Sequence, residues 1–189
     1  GCLKELSFVR IIDRIDAFWT AQGLSRTAAV LAAVSGGCDS MLLLTALYRL
    51  QADGRIGELR AAWFDHGLRA SAEIARERQM VAERCKELNV PLRCGAADGE
   101  QSARMLRQLG MEAAARKQRY RFLIAEAQQA GCRYIALGHH RDDQLETVLM
   151  RLLRGSSVRG LGGIRWRRRL NSSTGSARPA VTLLRPMLA

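Results

Sequence analysis

The chain has 189 residues, with 30 Lys and Arg against 18 Asp and Glu and a formal net charge of +12. That length suits one ordinary domain, and 48% hydrophobic with 25% charged residues is enough for a real core, which excludes a disordered or collagen-like chain. No apolar run approaches the ~20 residues that span a bilayer, so neither a membrane partner nor a signal peptide is expected.

The positive excess attracts polyanions such as nucleic acid or nucleotides. It is equally the mark of a chain that prefers arginine, since only Lys4, Lys86 and Lys117 are lysines. Composition leaves both readings open. Cys2, Cys38, Cys85, Cys94 and Cys132 include no Cys-x-x-Cys pair, which fits neither a disulfide framework nor a thiolate metal site. Reduced thiols in a cytoplasmic protein are the expectation. The chain opens on Gly1-Cys2-Leu3 and stops at Leu188-Ala189 within an apolar stretch, so a piece of a longer protein is expected.

Leu3, Leu6, Val9, Ile12, Ile15 and Trp19 recur at helical spacing, and an amphipathic helix is predicted up to about Gly23. Residues 28–34 are continuously apolar and too short for a surface helix; they read as a buried strand running into Ser35-Gly36-Gly37. A helix over residues 40–52 completes the opening of a βαβ unit. A second strand over 59–64 ends in Asp65-His66-Gly67, followed by a charged helix over 71–88 and a short strand near 90–94. Residues 101–130 read as helical with a break at Gly110, 134–138 as a strand and 142–153 as a helix. Residues 171–179 form a polar loop between two short candidate strands, and no internal repeat is visible. This alternation predicts an α/β, Rossmann-like, doubly wound parallel sheet with helices on both faces and its ligand site at the carboxyl ends of the strands.

The suggestive polar clusters all fall at that edge. Ser35-Gly36-Gly37-Cys38-Asp39-Ser40 lies between a strand and a helix, where successive backbone amides and the positive helix end converge on one anion, phosphate above all. The lysine of a Walker A loop is absent. A plain tight turn capped by Ser35 or Asp39 is the alternative. A carboxylate beside phosphate usually needs a metal such as magnesium between them, which weighs against that alternative. His139-His140-Arg141-Asp142-Asp143 with Glu146 gathers carboxylates at a helix start, where they need a cation: magnesium, an arginine or a substrate amine. A helix start enriched in acids explains one or two of them. The histidines lack the i, i+4 spacing of the helical zinc motif. Asp65-His66-Gly67 suits a nucleotide contact, a general base or a simple turn. Seven arginines (Arg151, Arg154, Arg159, Arg165, Arg167, Arg168, Arg169) stand among glycines with Trp166 interleaved, a pattern that suits a phosphate backbone and an unstacked base, or a solvated loop.

Taken together, Ser35 to Ser40, Phe64-Asp65-His66-Gly67-Leu68-Arg69, the Glu112 to Tyr120 helix start, the Gly138 to Gly155 stretch, Gly160-Leu161-Gly162-Gly163-Ile164 and Leu184-Arg185-Pro186 resemble the catalytic domain of the tRNA(Ile)-lysidine synthetases, within the N-type ATP pyrophosphatase (PP-loop) family. The resemblance implies a ligase that forms a carbon–nitrogen bond. ATP would adenylate carbon 2 of the wobble cytidine of the isoleucine tRNA with CAU anticodon, releasing pyrophosphate, and free L-lysine would then displace AMP. It further implies ATP contacts at Ser35, Gly36, Gly37, Cys38, Asp39, Ser40, Asp65 and His66, and magnesium on Asp39 with the ATP phosphates. Asp143 and Glu146 would hold the lysine ammonium, Arg116 and Arg119 the phosphate or adenylated base, and His139 would lie near the nucleotide, completing with Asp39 the catalytic set. Arg154, Arg159, Arg165, Arg167, Arg168 and Arg169 would face the tRNA. Residues 1–24 would be an N-terminal helix, 25–164 the core and 165–189 a C-terminal extension, without the tRNA-gripping domains that follow in the family. Residues 171–179 match nothing familiar and take no role. Oligomeric state stays open, a homodimer included. The rivals are a tRNA 2-thiolation enzyme of the same group, which commonly needs cysteine pairs, and a non-catalytic nucleotide- or RNA-binding module, which would gain nothing from three carboxylates.

Overall fold

The computed structural model describes residues 2–67, 71–97, 110–139, 165–170 and 179–188. Helix α1 (Cys2–Ala21) leads into β1 (Val30–Val34), α2 (Cys38–Ala52), β2 (Leu59–Asp65), α3 (Ser71–Glu87) and β3 (Leu92–Ala96). Helix α4 (Met111–Gln129), β4 (Tyr134–Leu137), β5 (Arg167–Leu170), β6 (Val181–Leu184) and a short 3-10 turn (Pro186–Leu188) follow.

The strands form one six-stranded sheet in the order β3-β2-β1-β4-β6-β5. All neighbours are parallel except β5, which runs antiparallel to β6 at the edge. Winding proceeds outward from β1 through β2 to β3, then restarts on the other side with β4. The order therefore reverses between β1 and β4, and in such sheets a crevice opens outside the carboxyl ends of those two strands.

Each central strand is buried on both faces, as its continuous apolar run requires. Val30, Ala32 and Val34 of β1 pack under α1, α2 and α3 with Trp19, Leu44, Leu47 and Val81. Leu31 and Ala33 face the opposite side with Leu123 and Ala127 of α4. Side chains such as Leu43, Leu47 and Ile135 are fully enclosed; each contributes about 1.5–3 kcal/mol of transfer free energy. Trp19 meets Tyr134 edge-on at 5.8 Å between ring centroids. The Tyr134 hydroxyl accepts the Ser25 N–H at 2.9 Å, tying β4 to the segment that leads into β1.

Two expectations shift. Strand β3 begins at Leu92, two residues after the predicted start at Val90, because the Val90 N–H donates to Cys85 O at 2.8 Å and closes the end of α3. Pro91 then has no N–H to offer a ladder. The residues expected as an extension beyond the core belong to the sheet itself: β6 pairs with β4, and Leu183 and Leu184 are fully buried. The two short candidate strands expected on either side of residues 171–179 are β5 and β6, and Arg167, Arg168 and Arg169 lie in β5 at the sheet edge, all three exposed. Charged side chains on an edge strand also block pairing with another chain. The predicted helix over 142–153 and the loop over 171–178 lie outside the described residues. Among the described residues no helix is long and apolar enough to cross a membrane.

Candidate functional site

Strand β1 delivers the chain at Val34 into Ser35, and Gly36 turns it with φ +70°. Only glycine takes this conformation readily, and a Cβ there would also stand 2.4 Å from Glu77 Cγ, on α3. Glu77 is held in turn by the Trp63 indole N–H at 2.9 Å. Gly37 is the N-cap of α2 in an extended conformation, with no side-chain cap hydrogen bond. The capped-turn alternative, with Ser35 or Asp39 as cap, is therefore not what forms. Ser40 instead braces the loop from inside. Its hydroxyl accepts the Ser35 N–H at 3.1 Å and donates to Gly37 O at 2.9 Å. An uncapped first turn leaves its amides for an anion, with the helix end adding positive potential.

The loop and the end of β4 touch. A Cβ on Gly138 would lie 2.8 Å from Ser40 Cα, 2.9 Å from Ser40 N and 3.0 Å from Asp39 C. Glycine is thus what allows β4 to end against the loop and to place His139 beside it. Ser35, Gly37 and Asp39 line a small pocket of about 160 Å³ together with Arg119 and His139. A wider cleft of about 500 Å³ adjoins it, walled by His66, Arg116, Arg119, Tyr120 and His139. Arg119 and His139 border both spaces.

Arg116 and Arg119 come from the first turns of α4, which packs on the sheet face against β1, β2, β4 and β6. Arg116 Nη2 lies 3.4 Å from the Tyr120 hydroxyl, with its guanidinium over the Tyr120 ring at 5.4 Å from the centroid. Burial pushes Arg119 below the usual guanidinium range; the Tyr120 oxygen opposes the shift and the Arg116 charge adds to it. A third arginine, Arg185, is only 3% exposed. Its Nε donates to His139 Nδ1 at 3.0 Å and its Nη1 to Arg165 O at 2.6 Å. Burial also lowers the Arg185 pKa, with Tyr120 counteracting through charge and a hydrogen bond. Among the described residues no carboxylate forms an ion pair with any of the three arginines. Guanidinium groups stay protonated at any working pH, so Arg116 and Arg119, which line the cleft, suit an anion there.

Not every predicted residue gathers there. His66 lines the cleft, edge-on to Phe64 at 5.4 Å between centroids. Asp65 turns to its own loop, where Oδ1 accepts the Gly67 N–H at 2.7 Å, and it borders a second cleft of about 540 Å³ with Trp63, Arg78 and Cys94. Cys38 is exposed in the phosphate loop. Arg165, Arg167, Arg168 and Arg169 lie at the far edge of the sheet on and before β5, with Trp166 47% exposed beside them. Asp143, Glu146, Arg154 and Arg159 fall outside the described residues, as do Asp142 and His140. Sequence reasoning missed Tyr120 and Arg185 as site residues. The signal for Arg185 was an arginine directly after a buried apolar strand, at the same sheet edge as the other clusters.

Asp39 lines the small pocket next to the uncapped loop. One carboxylate combined with phosphate oxygens and water is the usual donor set for magnesium, so the residues fit that ion. Among the described residues no group of three or more His, Cys, Asp or Glu could hold a metal by itself.

Comparison with known proteins agrees with this geometry. The chain is 38% identical over 156 residues to the tRNA(Ile)-lysidine synthase of Dehalococcoides mccartyi, covering 82% of this chain and 32% of that one. It is 38% identical over 182 residues to the same enzyme of Geobacillus kaustophilus (95% and 36%) and 41% over 158 residues to that of a Bradyrhizobium species (83% and 40%). The chain thus spans between about 32% and 42% of the length of the curated relatives it matches. Among solved structures, the U34-tRNA thiolase of Methanococcus maripaludis with its 4Fe-4S cluster superposes with a TM-score of 0.70 at 16% identity, covering 96% of this chain and 59% of that one, a likeness of fold alone. The model of the PP-loop domain matches residues 9–189, and the chain belongs to the PP-loop domain family.

Proposed function

We propose that this chain is the catalytic domain of a lysidine-forming ligase, using ATP to join lysine to the wobble cytidine of the isoleucine tRNA with CAU anticodon in the cytoplasm. One observation carries the reading. An uncapped phosphate loop and two arginines, Arg116 and Arg119, border adjoining spaces at the sheet's switch point, with Arg119 and His139 common to both. The curated relatives named for the reaction support it over four-fifths or more of this chain.

In this reading the loop amides other than Ser35 N–H, which Ser40 already holds, face the pyrophosphate end of ATP, and Asp39 would hold magnesium together with the phosphate oxygens. Magnesium, when bound, supplies neutralisation of the triphosphate. Arg116 and Arg119 stabilise the α-phosphate as cytidine O2 attacks it and pyrophosphate leaves. Charge developing on phosphate oxygens in a desolvated site is where fixed cations lower a barrier most. The ε-ammonium of lysine gives up one proton, the free amine attacks carbon 2 and gives up a second, and AMP departs with the original oxygen. An unactivated cytosine offers no such leaving group. Asp143 and Glu146 hold the incoming ammonium, and Arg154, Arg159 and the Arg165 to Arg169 stretch grip the phosphate backbone of the tRNA.

The test is exchange of label between pyrophosphate and ATP. The reading requires exchange that depends on magnesium and the cognate tRNA and disappears in Asp39→Ala. Tight ATP retention with no AMP release would mark a binding module instead, and turnover that needs a sulfur donor would mark a thiolation enzyme.

A further inference from the structure

Arg185 lies at the carboxyl end of β6, and its side chain reaches His139 at the end of β4. Arginine has five N–H donors and no acceptor. The 3.0 Å contact from Arg185 Nε to His139 Nδ1 is a hydrogen bond only if Nδ1 carries no proton. An imidazolium would set N–H against N–H and positive charge against a buried guanidinium. Arg185 is not free to swing away: it is 3% exposed, its Nη1 is anchored on Arg165 O, its backbone N–H on Trp166 O at 2.9 Å, and Tyr120 stabilises its charge.

We propose that Arg185 is a positioning residue that locks His139 as the neutral Nε2–H tautomer. His139 borders both the loop pocket and the arginine-walled cleft. Locked this way, it carries a single N–H, on Nε2, and adds no further full charge beside Arg119 and Arg185. The role assigned to that N–H, holding a phosphate oxygen, rests on the proposed function above; the tautomer itself does not.

The experiment is long-range proton–nitrogen NMR of the chain labelled with 15N-histidine, at neutral pH and without ligand. Only His66, His139 and His140 contribute signals, and loss in His139→Gln assigns the relevant one. His139 is expected as a single neutral Nε2–H species. A Nδ1–H tautomer or an imidazolium would overturn the proposal. Arg185→Met keeps much of the volume but no donor, and should turn that signal into an average of both tautomers. Arg185→Lys, donor-only like arginine, should restore it. A methionine variant that keeps the pure Nε2–H form, or a folded lysine variant that loses it, would equally overturn the lock. In turnover, Arg185→Met should lower tRNA-dependent AMP formation about 10- to 100-fold, the usual effect of losing a group that orients a functional ligand. Adding magnesium-ATP should shift the His139 Nε2–H resonance. If it does not, the reading of the cleft fails while the tautomer assignment stands.

Discussion

Replacing Gly138 by alanine tests how the site is assembled. The added methyl would sit 2.8 Å from Ser40 Cα, and ordinary contacts begin at 3.4 Å, so β4 and the phosphate loop must part by about 0.6 Å. All three atoms in the way are backbone, and no side chain can swing aside. Overpacking of this kind costs about 1–3 kcal/mol, and a chain of this size loses about 2–4 °C of Tm per kcal/mol. The larger effect should be on chemistry, since a misplacement of about 1 Å costs up to ~100-fold in rate. Gly138→Ala should therefore lower pyrophosphate exchange by about tenfold or more. Gly131→Ala is the control: its φ is +68°, but nothing lies within 4 Å of the added methyl and it stands away from the loop. It should lower Tm by a comparable amount and leave exchange intact. Gly138→Ala with unchanged Tm and unchanged exchange would refute the claim that glycine permits this contact.

Other consequences are equally specific. Arg119→Ala should reduce AMP formation by about 10²–10³-fold, the usual loss for one preorganised charge-stabilising donor, with Arg119→Lys rescuing poorly; near-normal turnover in Arg119→Ala would remove that residue from the mechanism. Burial would raise the Asp16 pKa, but hydrogen bonds and charge from Arg26 and Arg55 outweigh it and hold the carboxyl below its usual range. A depressed folded-state pKa gives stability that is present above about pH 4 and lost as pH falls through the folded value. Asp16→Asn should therefore cost about 1–3 kcal/mol in urea unfolding at pH 7 and progressively less as pH falls through the folded value; a loss that stays constant down to acid unfolding would contradict the ion-pair account. Burial pushes the Cys85 and Cys132 thiols up to about 11. Iodoacetamide followed by mass spectrometry should modify exposed Cys38 and Cys94 in the native protein and Cys85 and Cys132 only after unfolding. Magnesium-ATP should slow the reaction of Cys38 alone, and equal protection of Cys94 would argue that the nucleotide sits elsewhere.

The fold was legible where one segment carried its own signal. Residues 28–34 could only be a strand buried on both faces, and the two glycines after it could only be a turn; Asp65, His66 and His139 then fell on the same edge by alternation. What stayed hidden depended on partners far away in the chain. The short strand expected before residue 171 runs antiparallel to buried Val181–Leu184, an orientation its own arginines do not encode. The start of β3 was decided by a backbone hydrogen bond from Val90 to Cys85 that no periodicity encodes. Tyr120 was legible only as part of the Glu112 to Tyr120 helix start, and its place beside Arg185 needed the packing of α4 against β4 and β6. Arg185 joins His139 across 46 residues, so only the sheet order, with β6 beside β4, brings them together. The ambiguous charge of +12 resolves into two kinds of arginine. Arg119 and Arg185 are drawn into the site, while Arg167, Arg168 and Arg169 stay exposed on the edge strand.

Transfer of radiolabelled lysine to RNA tests the central claim most directly. With ATP, magnesium and the isoleucine tRNA bearing a CAU anticodon, label should enter the tRNA, one AMP should form per lysine joined, and Asp143→Asn should weaken lysine use more than ATP use. AMP formation with no label in the RNA at saturating lysine, or equal incorporation into a tRNA without the CAU anticodon, would contradict it.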